Sequence, residues 1–221
     1  MTDATPERLG EIQSQIAHYA KIAARRVDDI LLIAVSKTRS ADEIRPLLQA
    51  GHSLFGENRV QEAEEKWPAL KSEFPNSSLH LIGQLQSNKA AEAVALFDCI
   101  HAVDRPSLVS ALGKAMRDQR RHIPCFLQVN IGEEPQKGGC AIADIPVLLE
   151  AAAEDGIPIV GLMCIPPADI EPAPYFALLA ELAARNGLSQ LSMGMSDDYG
   201  TAIMLGATHV RVGTALFGPR R

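Results

Sequence analysis

Eight short apolar runs, spaced by segments of helical periodicity, recur between residues 31 and 212. Read as strands, they fall near 31–36, 52–55, 79–83, 99–103, 125–131, 157–164, 190–194 and 208–212. The intervening apolar positions repeat at helical spacing near 41–50, 59–72, 88–97, 106–120, 144–155, 172–186 and 197–205. Gly51, Gly187 and Gly206 directly follow three of these helices, where a left-handed residue ends the last turn. Eight strands alternating with seven helices, and a short turn after the last strand, predict a closed (β/α)8 TIM barrel. A doubly wound open sheet is the rival, but it uses fewer strands, and no G-x-G-x-x-G follows the first run. Thr5-Pro6 starts an additional amphipathic helix, with Leu9, Ile12, Ile16, Tyr19 and Ala23 on one face, ending near Val27. No linker or repeat interrupts the chain. The expectation is therefore one α/β domain over 1–221, with residues 1–28 packed on the barrel as an N-terminal helix.

A chain of 221 residues buries enough surface to fold without a metal or a disulfide. Its net charge of −6, with no long basic block, argues against nucleic acid and anionic membranes as partners. No apolar stretch approaches the ~20 residues of a membrane span. The N-terminus MTDATPERLG lacks the apolar core of a signal peptide. Cys99, Cys125, Cys140 and Cys164 form no C-x-x-C pair, which leaves free thiols in a reducing cytoplasm and no metal site.

In a barrel of this kind the chemistry lies at the C-terminal ends of the strands, with phosphate held by the loops after strands seven and eight. Lys37, in "AVSKTRSADEI", stands on the hinge between the first strand and a helix opened by the capping box Ser40/Glu43. There it can be a surface charge, a phosphate hook or an amine nucleophile. Strand seven runs into "SMGMSDD", with Ser196 placed to cap the next helix, and strand eight into "VRVGTALFG". The hydroxyls of Ser196 and Thr214, with N–H groups near Gly213, would cradle an anion. Alternatively, Ser196 only caps its helix and Gly213-Thr214 only turns the chain. Asp197 and Asp198 suit a helix N-terminus but must point away from any phosphate. Alternation along strand eight sends Val210 and Val212 outward and Arg211 inward. The arginine then meets either a ligand or an internal carboxylate, Glu57 or Asp104. His80 and His209 read as satisfied core histidines. Glu57, Asn58, Gln84, Asn88, Lys89, Asn130 and Lys137 stand at the remaining strand ends. A lysine, an arginine, amides and a phosphate loop on one rim describe a site for a phosphorylated carbonyl compound, and pyridoxal 5'-phosphate (PLP) meets each requirement.

Together "AVSKT", "FGENRVQE", "HLIGQLQSNK", "GLMCIPP", "SMGMSDD" and "VRVGTALFGPR" closely resemble the PLP homeostasis proteins, the YggS/PROSC family, in family order from about residue 31 onward. The resemblance implies a barrel like the N-terminal domain of alanine racemase and a cofactor held by Lys37 as a Schiff base. It implies Ser196, Gly213 and Thr214 at the phosphate, Arg211 near the pyridine nitrogen and Asn58 lining the pocket. Two departures are visible: Leu81 replaces the usual aromatic after the histidine, and "QKGG" stands where K-S-G is commoner.

Two functions compete. One is a carrier that holds PLP and exchanges it with amino acids or with PLP-dependent apoenzymes; the other is a small PLP-dependent amino-acid racemase. An arginine at the ring nitrogen keeps that nitrogen unprotonated, which weakens carbanion chemistry. Racemases resembling this fold use a tyrosine from an additional domain of a partner subunit, whereas this sequence ends at Arg221 and has only Tyr19, Tyr175 and Tyr199. The expectation is a monomeric carrier with no catalytic residues. Lys89 and Lys137 read either as a secondary basic rim or as solvated charges.

Overall fold

The computed structural model describes residues 5–218. Eight parallel strands close into a barrel in sequence order. They are β1 (Leu31–Val35), β2 (Leu54–Glu57), β3 (Ser78–Leu81), β4 (Cys99–Val103), β5 (Cys125–Val129), β6 (Ile159–Cys164), β7 (Gln190–Ser192) and β8 (His209–Val212). Helix α1 (Thr5–Ile22) precedes them. The helices α2 (Ala41–Gln49), α3 (Val60–Glu73), α4 (Ala90–Leu96), α5 (Pro106–Gln119), α6 (Ile145–Glu154), α7 (Ala173–Arg185) and α8 (Tyr199–Met204) alternate with the strands. A one-turn helix, α9 (Thr214–Phe217), follows β8. The architecture is the (β/α)8 barrel expected from the alternation of apolar runs.

Local chemistry explains the boundaries. Both halves of the Ser40/Glu43 capping box are formed at the start of α2. Gly51, Gly187 and Gly206 have positive φ where they end their helices. Helix α1 stops at Ile22 rather than near Val27, because Ala24 turns left-handed (φ 52°) and Val27–Asp29 tightens into a 3₁₀ turn. Its buried stripe is Leu9, Ile12, Ile16 and Ala20. Helix α1 lies against α8 and α9. There Arg25 donates to the carbonyls of Ile203 (3.0 Å) and Ala207 (2.7 Å), and Arg8 donates to that of Leu216 (2.7 Å). The extra helix therefore braces the elements that follow β7 and β8.

Strand alternation divides the core in two. Leu32, Ala34, Phe55, Leu79, Leu81, Val210 and Val212 join the large apolar layer between barrel and helices. Ile33, Val35 and Ile82 pack inside the barrel, as do Cys99, Phe126 and Met163. The interior also holds His80, His101, His209, Ser192 and Arg211, all buried. Its polar half, under the mouth of the barrel, is unusual for a layer that elsewhere of this fold is built from branched aliphatics. Leu81 faces the helix layer, so its departure from the aromatic of the resembling family does not touch the mouth.

Candidate functional site

The register collects the expected residues at the C-terminal mouth. Val35 pairs with Gly56, and Ile33 with Arg211. Two residues above the first pair stand Lys37 and Asn58, both half-buried. On the other side of β1, a Cβ on Gly213 would touch the Val35 side chain at 3.3 Å, so β8 runs tightly beside the lysine-bearing strand. Ser196 reaches the same point from β7: its hydroxyl accepts the Gly213 N–H at 3.4 Å. The N–H groups of Thr214 and Ala215 take no acceptor among the described residues. Lys37, Asn58, Ser196, Gly213 and Thr214 thus share one rim, and Arg211 lies beneath it.

Three local expectations are corrected. Ser196 does not cap α8; Asp198 occupies that position, and its carboxylate turns back to accept the Met195 N–H at 2.5 Å. The turn satisfies the carboxylate and frees the Ser196 hydroxyl for Gly213. Arg211 pairs with neither Glu57 nor Asp104. Its guanidinium, 4% exposed, donates to Ser192 Oγ (2.7 Å) and to the Cys164 carbonyl (2.8 Å). Asp104 is taken by Arg105 at 2.6 Å. Glu57 is not on the rim at all. Alternation turns Gly56 inward and Glu57 outward, under α3, where Oε1 meets Lys66 (2.8 Å), Ser36 Oγ (2.5 Å) and Trp67 Nε1 (3.1 Å).

Arg211 is therefore a buried cation held by neutral groups, with no ion pair among the described residues. Burial lowers its pKa from the ordinary guanidinium value, and Cys164 and Asp198 pull it back up. A guanidinium is not deprotonated in proteins near neutral pH. Such a charge is costly in a barrel unless a ligand or a preorganised environment answers it.

Beneath it runs a chain of neutral hydrogen bonds. Ser192 Oγ lies 2.8 Å from His101 Nδ1, and His101 Nε2 lies 3.0 Å from His80 Nδ1. Ser192 Oγ accepts from the Arg211 guanidinium and also meets His101, so one hydrogen-bonded chain runs from the guanidinium to His80. Desolvation is the main reason these imidazoles stay neutral: His80 is lowered to about 4, His209 to about 3, and His101 well below its ordinary value. The readings of His80 and His209 as core histidines hold. Neither His101 nor Ser192 stands out in the sequence, although alternation along β4 already directs His101 inward with Cys99.

Rim amides elsewhere brace loops. Gln84 donates to Gln128 (2.8 Å), Gln128 to the Gly138 carbonyl (3.1 Å), and Asn130 to the Glu134 carbonyl (2.8 Å). Lys137 is tied to Glu134 (2.6 Å) and the Pro166 carbonyl (2.9 Å), and Lys89 to Glu92 (2.9 Å). Lys137 therefore braces its loop, whereas Lys89 remains a solvated surface charge paired with Glu92. Gly83 explains the glycine of "HLIGQLQ": a Cβ there would stand 2.3 Å from the Asn58 carbonyl oxygen. Gly83→Ala should displace Asn58 and lower stability by about 1–3 kcal/mol, read from a denaturant midpoint.

The family model described as "Alanine racemase, N-terminal domain" matches residues 12–221. The chain is 39% identical over 220 residues to a protein of Pseudomonas aeruginosa named "Pyridoxal phosphate homeostasis protein", covering 97% of this chain and 95% of that one. The chain belongs to the pyridoxal phosphate homeostasis protein family. An Escherichia coli protein of the same name is 36% identical over 223 residues, covering 96% and 95% of the two chains. PipY of Synechococcus elongatus, whose structure was solved with PLP bound, is 39% identical with a TM-score of 0.84, over 97% of this chain and all of that one. Its structure without PLP matches with a TM-score of 0.85. D-threonine aldolase from Filomicrobium marinum shares the fold at 16% identity and a TM-score of 0.70, over 60% of its length. Within the family, then, the barrel described above is the common scaffold.

Proposed function

We propose that this protein is a PLP-binding homeostasis protein, which holds the cofactor on Lys37 at the barrel mouth and exchanges it with other amines. The observation that carries this reading is the buried, charged Arg211 with only neutral partners, directly under a rim bearing a lysine and an anion cradle. PLP fits those three features together. When bound, it supplies an aldehyde that condenses reversibly with a lysine amine. Lys37 offers the amine. Ser196, Thr214 and the N–H groups around Gly213 take the phosphate, Arg211 donates to the pyridine nitrogen, and Asn58 lines the ring. The names of the relatives and the PLP in PipY support this assignment.

The carrier role is favoured over a racemase by what the tyrosines do. Tyr199 gives its hydroxyl to Gln15 on α1, Tyr19 packs on Tyr199 edge-on, and Tyr175 packs against the layer outside the barrel. None of them stands ready as a base over Lys37. The protein acts as a monomeric unit comprising residues 1–221 and passes PLP to amino acids or to the lysines of recipient apoenzymes. All four cysteines are free and buried, which suits the reducing cytoplasm, and no described helix is long and apolar enough to cross a membrane.

The test is direct. Purified protein mixed with PLP should develop visible absorption, and borohydride followed by peptide mass analysis should place the label on Lys37. A colourless mixture, or a label on another lysine, overturns the reading. Ser196→Ala and Thr214→Val should each weaken PLP binding by about 1–3 kcal/mol, the cost of a hydrogen bond to a charged group. Equal affinity for pyridoxal and for PLP would remove the phosphate cradle from the account.

A further inference from the structure

The "FGENRVQE" motif contains two glutamates that the PLP site leaves unused, and both converge on a lysine of α3. Lys66 is almost fully buried, and its ammonium donates to the Ser36 carbonyl (2.9 Å), the Arg39 carbonyl (3.0 Å) and Glu62 Oε1 (2.9 Å). Glu57 lies 2.8 Å away on its other side. Glu62 Oε1 also accepts the Thr38 N–H at 2.5 Å, and Glu57 Oε1 accepts the Ser36 hydroxyl. Ser36 and Thr38 are the two neighbours of Lys37, so the backbone is gripped on both sides of the proposed reactive amine.

The turn so held is one the chain would not choose. Thr38 has φ 62°, and it is the one β-branched residue among the described non-glycine residues with positive φ. A β-branched side chain crowds the backbone in that region, and such strain persists only where surrounding contacts over-determine the conformation. The Arg39 N–H to Ser36 carbonyl bond (3.1 Å) closes the turn, and the carbonyl it uses is the one Lys66 also holds.

We propose that Lys66 and Glu62 are positioning residues for Lys37: they clamp the turn 36–39 so that its lysine is held at the barrel mouth, where it would meet the aldehyde that PLP supplies. This rests on the reading of Lys37 given above. Holding one partner of a condensation in place raises its effective concentration without touching the ligand. The clamp therefore acts on the covalent step and leaves the phosphate and ring contacts alone.

A double-mutant cycle separates the two. PLP affinity is measured for wild type, Glu62→Ala, Lys37→Ala and the Glu62→Ala/Lys37→Ala pair, with thermal unfolding as a check on folding. Glu62→Ala should weaken binding about tenfold when Lys37 is present, and change it less than twofold when Lys37 is absent. Borohydride trapping on Lys37 should slow in parallel. Lys66→Met combined with Glu57→Gln removes the buried charges together and should reproduce the effect; if that pair does not fold, Thr38→Gly, which accepts φ 62° without strain, should restore most of the affinity lost in Glu62→Ala, and no restoration would count against the clamp. Equal losses in both backgrounds would make the clamp a general support of the fold, and no loss would remove it altogether. Either result overturns the proposal. If wild type itself fails to trap on Lys37, the functional reading fails instead, and the two failures are distinguishable.

Discussion

Lys37→Ala should yield a folded barrel that takes up PLP weakly and never acquires the visible absorption of the lysine-bound cofactor. Lys37 is half-buried in the turn that follows β1, outside the apolar layer between barrel and helices. Stability should therefore change by about 1 kcal/mol or less, far short of the cost of a core truncation. What is lost is the covalent link, and with it the chromophore and the borohydride label. Residual affinity should come from the phosphate cradle and Arg211, and adding Thr214→Val should weaken it further, by about 1–3 kcal/mol. Spectrophotometric titration of the variant beside wild type decides the matter. An unchanged spectrum would place the chemistry on a different lysine, with Lys89 and Lys137 the first candidates, although both are already engaged in ion pairs.

Acid should weaken the fold well before the surface carboxylates are protonated. His80 and His209 are neutral in the folded barrel, with pKa values lowered by burial to about 4 and about 3. The unfolded chain protonates them near 6.5. Below that pH the unfolded state binds protons that the folded state refuses, so stability present above 6.5 is lost as pH falls toward 4. At about 1.4 kcal/mol per pH unit, His80 alone withdraws about 3 kcal/mol across that interval. His209 and His101 act in the same direction, but the three imidazoles sense one another, so their contributions do not add. Glu57 and Asp198 oppose them: burial raises both carboxyls, and their protonation favours the folded state as pH falls. A urea midpoint followed from pH 7 to pH 4 should drop steeply in wild type. His209→Gln should flatten the slope, and an equal slope in that variant would show that the interior histidines do not drive it.

How much of this was legible beforehand follows from what each signal depends on. Helix caps and strand alternation are local. The Ser40/Glu43 box, the glycines after three helices and the inward turn of Arg211 could all be read from neighbours within four residues. Even His101 was within reach of the same rule. The partners of a side chain are another matter. Arg211 found Ser192 and the Cys164 carbonyl rather than a carboxylate, because closing the barrel set β6, β7 and β8 side by side around it. Glu57 looked like a rim residue until the pleat of β2 turned it under α3, where Lys66 and Trp67 already stood.

The order of apolar runs was enough to determine an eight-stranded parallel barrel, and the motifs at the strand ends were enough to name the family and to single out Lys37 as the amine proposed here. Tertiary structure alone decided that Arg211 keeps an unneutralised charge under the mouth, that Ser196 serves Gly213 rather than its own helix, and that Lys66 grips the turn carrying Lys37. The reason is physical. Periodicity reports which face of an element is buried, whereas hydrogen bonds between elements distant in sequence depend on the register in which the strands meet.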